Sequence, residues 1–209
     1  MYRDINGDRC LMSKPFSQAC ENNKAPILDV IRNYFVPGNK VLEIGSYTGQ
    51  HIRFFAEHLP QVIWQPSEIP DNLPILEAGL DGVNLSNILP PLMLDVSQQP
   101  WAVTNAGGIF SANTLHIMSE DHVTEFFRGC GKALASGARL CVYGPFNYAG
   151  HYTSDSNARF QDWLKAQNPV SGLRDFESVN ALAQEAGMTL LADHSMPANN
   201  QLLVWQRGQ

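Results

Sequence analysis

The chain has 209 residues, 44% of them hydrophobic and 16% charged, which is enough for one ordinary domain with a substantial core. Its formal net charge is −6, and its 14 Lys and Arg form no basic stripe, which argues against a broad nucleic-acid footprint. No apolar run approaches membrane-spanning length, no signal-peptide pattern opens the sequence, and Cys10, Cys20, Cys130 and Cys141 form neither a CxxC pair nor a metal spacing. The expectation is a soluble cytoplasmic protein with reduced thiols, monomeric or homodimeric, without metal, membrane or nucleic-acid partner.

Residues 1–15 are polar and weakly periodic and read as a flexible arm, and 16–209 read as a single domain. Apolar spacing predicts a helix over Pro26–Phe35, ended by Pro37-Gly38, then a strand over Lys40–Ile44. A helix from about Gln50 to Leu59 follows, then a strand in VIWQPSE whose C-terminal end Pro66 is expected to fix. Next come a helix over Leu73–Leu80, a short strand in PLMLDV, a strand over Gly108–Asn113 and a helix over Asp121–Leu134. A strand over Arg139–Gly144 leads into Pro145–Asp155, which reads as an irregular polar loop. Helical patterns recur near Asn157–Ala166 and Phe176–Ala186. MTLLADHSM and QLLVWQ then supply two strands joined by a hairpin-like Pro-Ala-Asn-Asn turn. Strands alternating with helices predict an α/β, three-layer α-β-α sandwich. Its Rossmann-like seven-stranded sheet is mostly parallel, with an antiparallel final strand.

In VLEIGSYTGQH, Gly45 and Gly49 permit close backbone approach to a ligand, and the helix that follows points free amides at it. Glu43 near the end of the preceding apolar strand needs hydrogen bonds or a cation if buried, and could shape the loop or meet a positively charged ligand. Glu68 ends the second strand, where an acid can take both ribose hydroxyls or simply face solvent. Asp95 ends the third and could reach an adenine amino group with help from the Val96 amide. Three acids on one rim favour a nucleoside pocket. No GxGxxG or GxxxxGK[ST] appears, no Arg or Lys flanks the glycines, and His51 is the nearest candidate cation. S-adenosylmethionine therefore fits better than NAD or ATP.

The chain also resembles the seven-strand class of S-adenosylmethionine-dependent methyltransferases. More narrowly, it is similar to a little-characterised methyltransferase-like family of bacteria and animals with no firmly established substrate. The stretches ENNKAPIL, VLEIGSYTGQH, WQPSE, LDV, NTLHI, YGPF, SNARFQDWL, GLRD and MPANNQLLVW carry this resemblance from Phe16 onward. It implies that 16–209 is a class I methyltransferase-like domain. It further implies a cofactor lying across Glu43, Gly45, Ser46 and Gly49, with Glu68 on the ribose and Asp95 near the adenine. The family loop usually has glycine where Tyr47 stands and aspartate at Glu68, and an arginine is common where Asn22 or Asn23 stands.

For the acceptor side, His116 and Asn113 follow the fourth strand and Tyr143 ends the fifth. His116 could take a proton from a substrate amine or hydroxyl, or pack beside Trp101. Asn113 is a candidate at both cofactor and acceptor, and Lys24 could close over the cofactor carboxylate. Tyr148, His151, Tyr152 and Asn157 suit either a small, partly planar substrate or a lid that packs over the cofactor, and Arg159 and Arg174 could meet a carboxylate or form surface salt bridges. The leading expectation is a methyltransferase acting on a small molecule. The alternatives are a non-catalytic S-adenosylmethionine-binding or scaffold protein, motivated by Tyr47, and an NAD-dependent oxidoreductase.

Overall fold

The computed structural model describes residues 14–209, so all but the last two residues of the expected N-terminal arm, Cys10 included, lie outside the described residues. The elements in chain order are α1 (Gln18–Ile31), β1 (Lys40–Ile44), α2 (Gln50–His58), β2 (Ile63–Glu68), α3 (Leu73–Leu80), β3 (Leu92–Met93), β4 (Ala106–Ala112) and α4 (Glu120–Ala133). They continue with β5 (Leu134–Gly144), β6 (Phe146–Asn147), α5 (Asp155–Gln167), β7 (Arg174–Asp175), α6 (Phe176–Glu185), β8 (Met188–Met196) and β9 (Asn200–Arg207). Serines begin three of the helices: Ser17, Ser119 and Ser154 accept the backbone N–H groups of Cys20, His122 and Asn157, which the first turn leaves free.

Seven strands form one sheet in the order β3-β2-β1-β4-β5-β9-β8. All neighbours are parallel except that β9 runs antiparallel to both β5 and β8. The chain moves outward from β1 to β3 and restarts beside β1 at β4, so the C-terminal ends of β1 and β4 form the switch point at which such sheets bind ligands. On one face Ile27, Ile31, Ile52 and Phe55 of α1 and α2 pack on Val41, Phe110, Cys141 and Val204. On the other, Phe126, Phe127 and Val179 of α4 and α6 pack on Leu42, Ile109, Leu140 and Trp205. The expected three-layer sandwich and antiparallel final strand are both present. Among the described residues no helix is long and apolar enough to cross a membrane.

Several boundaries differ from the sequence expectation. α1 starts at Gln18 and carries Pro26 inside it, because the Ser17 cap nucleates the helix upstream of the residue that had been expected to open it. Pro66 lies within β2 and does not end it. Trp64 bonds to Asn87 and Leu89, and the Glu68 carbonyl bonds to Leu94, all on the β3 side. The missing Pro66 donor falls between them on that same edge, where β3 pairing begins only at Ser67. β5 begins at Leu134, five residues earlier than expected, and contains Gly137 at φ 74. The 145–155 segment is partly ordered: Phe146 and Asn147 pair with Arg174 and Asp175 as a small second sheet.

α4 is pressed closely onto Trp101, whose indole N–H bonds the Val96 carbonyl at 3.4 Å. A Cβ on Gly129 would lie 2.1 Å from the Trp101 ring. Alanine's helix preference is worth about 1 kcal/mol, but overpacking costs about 1–3 kcal/mol or more. Gly129→Ala is therefore expected to lower the urea unfolding midpoint, and an unchanged midpoint would show that Trp101 moves freely.

Candidate functional site

Between β1 and α2 the backbone turns through Gly45 at φ 76, Tyr47 at φ 44 and Gly49 at φ 68. Left-handed backbone at Gly45 and Gly49 explains the glycines, and at Gly45 there is also no room for a side chain: a Cβ would meet the Thr114 methyl at 2.6 Å. Ser46 ties the loop to β2, its N–H bonding the Ser67 carbonyl at 2.9 Å and its hydroxyl accepting the Ser67 N–H at 3.2 Å. α3 closes the outer side, with Gly79 packed on the Thr48 carbonyl. Tyr47 occupies backbone that glycine adopts without strain. Its N–H donates to Glu68 Oε2 at 2.8 Å, and its side chain is 46% exposed.

Glu43 is 2% exposed, and its Oε2 has no hydrogen-bond partner among the described residues. Burial raises its carboxyl from the ordinary 4.5 to about 7, a Ser46 hydrogen bond opposing and the nearby Glu68 charge adding. Glu68 is also buried, but its oxygens are placed by the N–H groups of Tyr47 and Ile69. Around it stand three exposed apolar side chains: Tyr47, Ile69 and Met93, the last paired with Glu68 in the sheet. Asp95 follows β3 and accepts the Ser97 N–H and hydroxyl on Oδ1, while Val96 is buried beside Trp101.

α1 supplies the cover on the Glu43 side, and here two expectations need correction. Lys24 does not point at the loop: it pairs with Glu21, lies 4.9 Å over the Phe54 ring and lines an outer groove of about 420 Å³ with Arg53 and Glu57. Its neighbour Asn23 faces inward and is buried. Asn23 Oδ1 lies 2.6 Å from His51 Nε2. His51 is not a cation. It is stacked on Phe55 at 5.5 Å, and burial, with the Lys24 charge adding, lowers its pKa to about 4. Gln50 joins α1 to the loop, accepting from the Ser17 N–H and the Thr48 hydroxyl.

The acceptor-side residues divide between the two faces of the sheet. Tyr143 packs with the α1–α2 face, against Asn23. Beyond it, the side of Gly144 where a Cβ would stand opens toward His116 Nδ1 at 3.9 Å and Asn113 Oδ1 at 4.0 Å. Asn113 sits at φ 59, its N–H bonded to the Tyr143 carbonyl at 2.8 Å. His116 is 8% exposed and packs edge-on against Phe160 of α5 rather than on Trp101. Burial, then the Arg174 charge, lowers its pKa to about 4. Arg174 itself is buried and donates to the carbonyls of Leu115, Met118 and Val170, so it holds the His116 loop and is not free for a substrate carboxylate. Asn157 is likewise spent on Thr153 and the Asn199 carbonyl, and Tyr148 on Asp193.

The structure thus gathers Glu43, Gly45, Ser46, Gly49 and Glu68 at one loop and Asn113 with His116 beside it. Sequence reasoning missed the inward role of Asn23, the Thr48–Gln50 link and the apolar ring around Glu68. No local pattern separated Asn23 from the adjacent Lys24 as the inward-facing residue.

The chain belongs to the family described as "Protein of unknown function (DUF938)", which matches residues 14–207. Among solved structures it is similar to an O-methyltransferase family protein from Burkholderia thailandensis, with TM-score 0.77, 15% identity, and 91% of this chain and 58% of that one covered. It is similar to an O-methyltransferase family 2 protein from Planctomyces limnophilus in complex with apigenin, with TM-score 0.77, 15% identity and coverage of 90% and 60%. It is also similar to human N-acetylserotonin methyltransferase in complex with S-adenosylmethionine, with TM-score 0.75, 13% identity and coverage of 92% and 53%. The chain therefore has the fold of class I S-adenosylmethionine-dependent methyltransferases and spans a little over half the length of these structures.

The Glu43 carboxyl makes stability pH-dependent in a definite direction. Its folded pKa is raised, so its contribution is present below about 4.5 and lost as pH rises through about 7. His51 and His116 act oppositely, their contribution being lost as pH falls from about 6.5 to about 4. Glu43→Gln removes only the first effect. Relative to wild type it is expected to gain stability between about pH 5 and pH 8, by a difference on the order of 3 kcal/mol, in urea melts of the ligand-free protein. A difference independent of pH would show that Glu43 is solvated.

Proposed function

We propose that this member of the DUF938 family binds S-adenosylmethionine across the Gly45–Gly49 loop and transfers its methyl group to a small molecule. The observation that carries the reading is the buried Glu43 oxygen without a partner at the end of β1. An ionised carboxylate there is costly until a cation with N–H donors meets it, and S-adenosylmethionine brings an ammonium and a sulfonium. Dinucleotides and nucleoside triphosphates bring phosphates, and His51 is neutral and already bonded to Asn23. Glu68 keeps free acceptor capacity for ribose hydroxyls, with Tyr47, Ile69 and Met93 as apolar walls for a flat base. Asp95 and the Val96 amide would read the adenine edge. The similar fold of human N-acetylserotonin methyltransferase in complex with S-adenosylmethionine supports the same cofactor.

When bound, S-adenosylmethionine supplies a sulfonium-activated methyl group for in-line displacement by an acceptor heteroatom. The protein's part is orientation. At neutral pH the His116 imidazole is uncharged, and with Asn113 Oδ1 it can accept hydrogen bonds from an O–H or N–H placed above Gly144. A ring whose pKa is about 4 holds a proton weakly, so His116 directs the acceptor's lone pair and does not store its proton. Tyr143 packs in the core on the α1–α2 face of the sheet. We take residues 16–209 as one class I methyltransferase-like domain, cytoplasmic and acting on a metabolite.

Calorimetric titration with S-adenosylmethionine and S-adenosylhomocysteine tests this. Both are expected to bind with net proton release and more tightly at about pH 7.5 than at about pH 6, because binding favours ionised Glu43. Glu43→Gln is expected to weaken binding about tenfold or more and to remove the proton release. If neither ligand bound folded protein at millimolar concentration, the proposal would fall.

A further inference from the structure

We infer that the methyl acceptor is a flat aromatic molecule that stacks on the Phe160–Trp163 face of α5 and presents its hydroxyl or thiol to His116. This rests on the methyltransferase reading above. Phe160 and Trp163 are one helical turn apart on α5, stacked with centroids 5.8 Å apart and planes 12° apart. Phe160 in turn meets the His116 ring edge-on at 5.2 Å. The three rings therefore form one continuous line of aromatic contacts from the surface to the imidazole. Its outer end is open: Trp163 is 56% exposed, and Ile117 and Val170, on the segments joined by the Ser171 hydroxyl, are 57% and 52% exposed. The inner end is polar and enclosed, since His116 is 8% exposed and its ring nitrogens take part in none of the hydrogen bonds found among the described residues.

This apolar surface is held open by its backbone. Gly172 donates to the His116 carbonyl at 2.8 Å and Ser171 to the Ile117 carbonyl at 3.2 Å, and Gln161 of α5 accepts the Leu173 N–H at 2.6 Å. Arg174 bonds three carbonyls from below. Three segments are thus locked together with their apolar side chains pointing outward, which favours a ligand that arrives with its own apolar face. Offset stacking gains about 0.5–1.5 kcal/mol beyond area burial, which selects a flat ring over a saturated one of equal size. In the transfer, the acceptor's lone pair forms the new bond to the methyl carbon. Sulfur keeps the electrons of the bond that breaks and becomes a neutral thioether, and the acceptor's proton is released to water.

The test uses 2-naphthol and its saturated decahydro analogue, titrated calorimetrically into the full chain saturated with S-adenosylhomocysteine, with labelled methyl transfer as a second readout. Naphthol is expected to bind about tenfold more tightly than the saturated alcohol and to be methylated. Trp163→Leu, which keeps an apolar surface without the large ring, and Phe160→Leu are expected to erase most of that preference. Both should leave S-adenosylhomocysteine affinity unchanged, and Trp163→Leu, at an exposed position, should also leave the thermal midpoint unchanged. Equal affinity for the two alcohols, or an unaltered preference in Trp163→Leu, would overturn the inference while leaving the cofactor reading intact. Loss of a self-associated species in sedimentation of Trp163→Leu would also overturn it, by assigning the surface to a second copy of the chain. If S-adenosylhomocysteine did not bind but naphthol still discriminated in a Trp163-dependent way, the methyltransferase reading would fall and the aromatic subsite would stand.

Discussion

At the C-terminal end of β1 a carboxyl group has been taken out of water, and one of its oxygens has received nothing in exchange. Glu43 is covered by α1, flanked by the Gly45–Gly49 loop and close enough to Glu68 for its pKa to feel that charge. A buried acid without a donor costs free energy in the folded chain. The surrounding structure tolerates this because the sheet, the Ser17–Gln50 link and the Asn23–His51 pair fix α1 over it. That unpartnered oxygen is the premise of the cofactor proposal.

Two constraints converge on the loop above Glu43. Glu68 gathers the Tyr47 and Ile69 N–H groups, which places its carboxylate and at the same time stabilises the positive φ of Tyr47. Thr114, beneath Gly45, hydrogen-bonds Ser111 at 2.7 Å, and Ser111 in turn holds the Ile44 carbonyl at 2.8 Å. The Gly45–Gly49 loop and the loop that carries Asn113 and His116 are therefore in contact through Thr114 and Gly45. They meet at the switch point between β1 and β4 because the sheet order puts those strand ends side by side.

Much of this was legible in the chain. The apolar run of β1 is bounded by Lys40 and Gly45, and its limits and those of α3 and β8 matched the periodicity residue for residue. Glu43 and Glu68 stood out as acids closing apolar strands, and both are buried there. Other features were hidden because tertiary contacts decide them. Pro26 is tolerated in a helix already capped at Ser17, and Pro66 lies in a strand whose neighbour on that edge is only beginning to pair. Sequence shows that Asn23 and Lys24 are adjacent but not which one faces inward, and the inward position went to the uncharged residue. His51 read as a cation because its type is basic, but stacking on Phe55 removes the water its charge would need. The Phe160–Trp163 surface depends on a fold-back of residues 168–174 onto α5 that no local pattern announces.

The most direct test of the account is a crystal structure of the protein with S-adenosylhomocysteine. The account predicts that the ligand's amino group donates to Glu43, that its ribose hydroxyls reach Glu68 and that its base lies among Tyr47, Ile69 and Met93. A ligand held elsewhere, for example in the outer groove beside Lys24, with Glu43 still unpartnered, would contradict it.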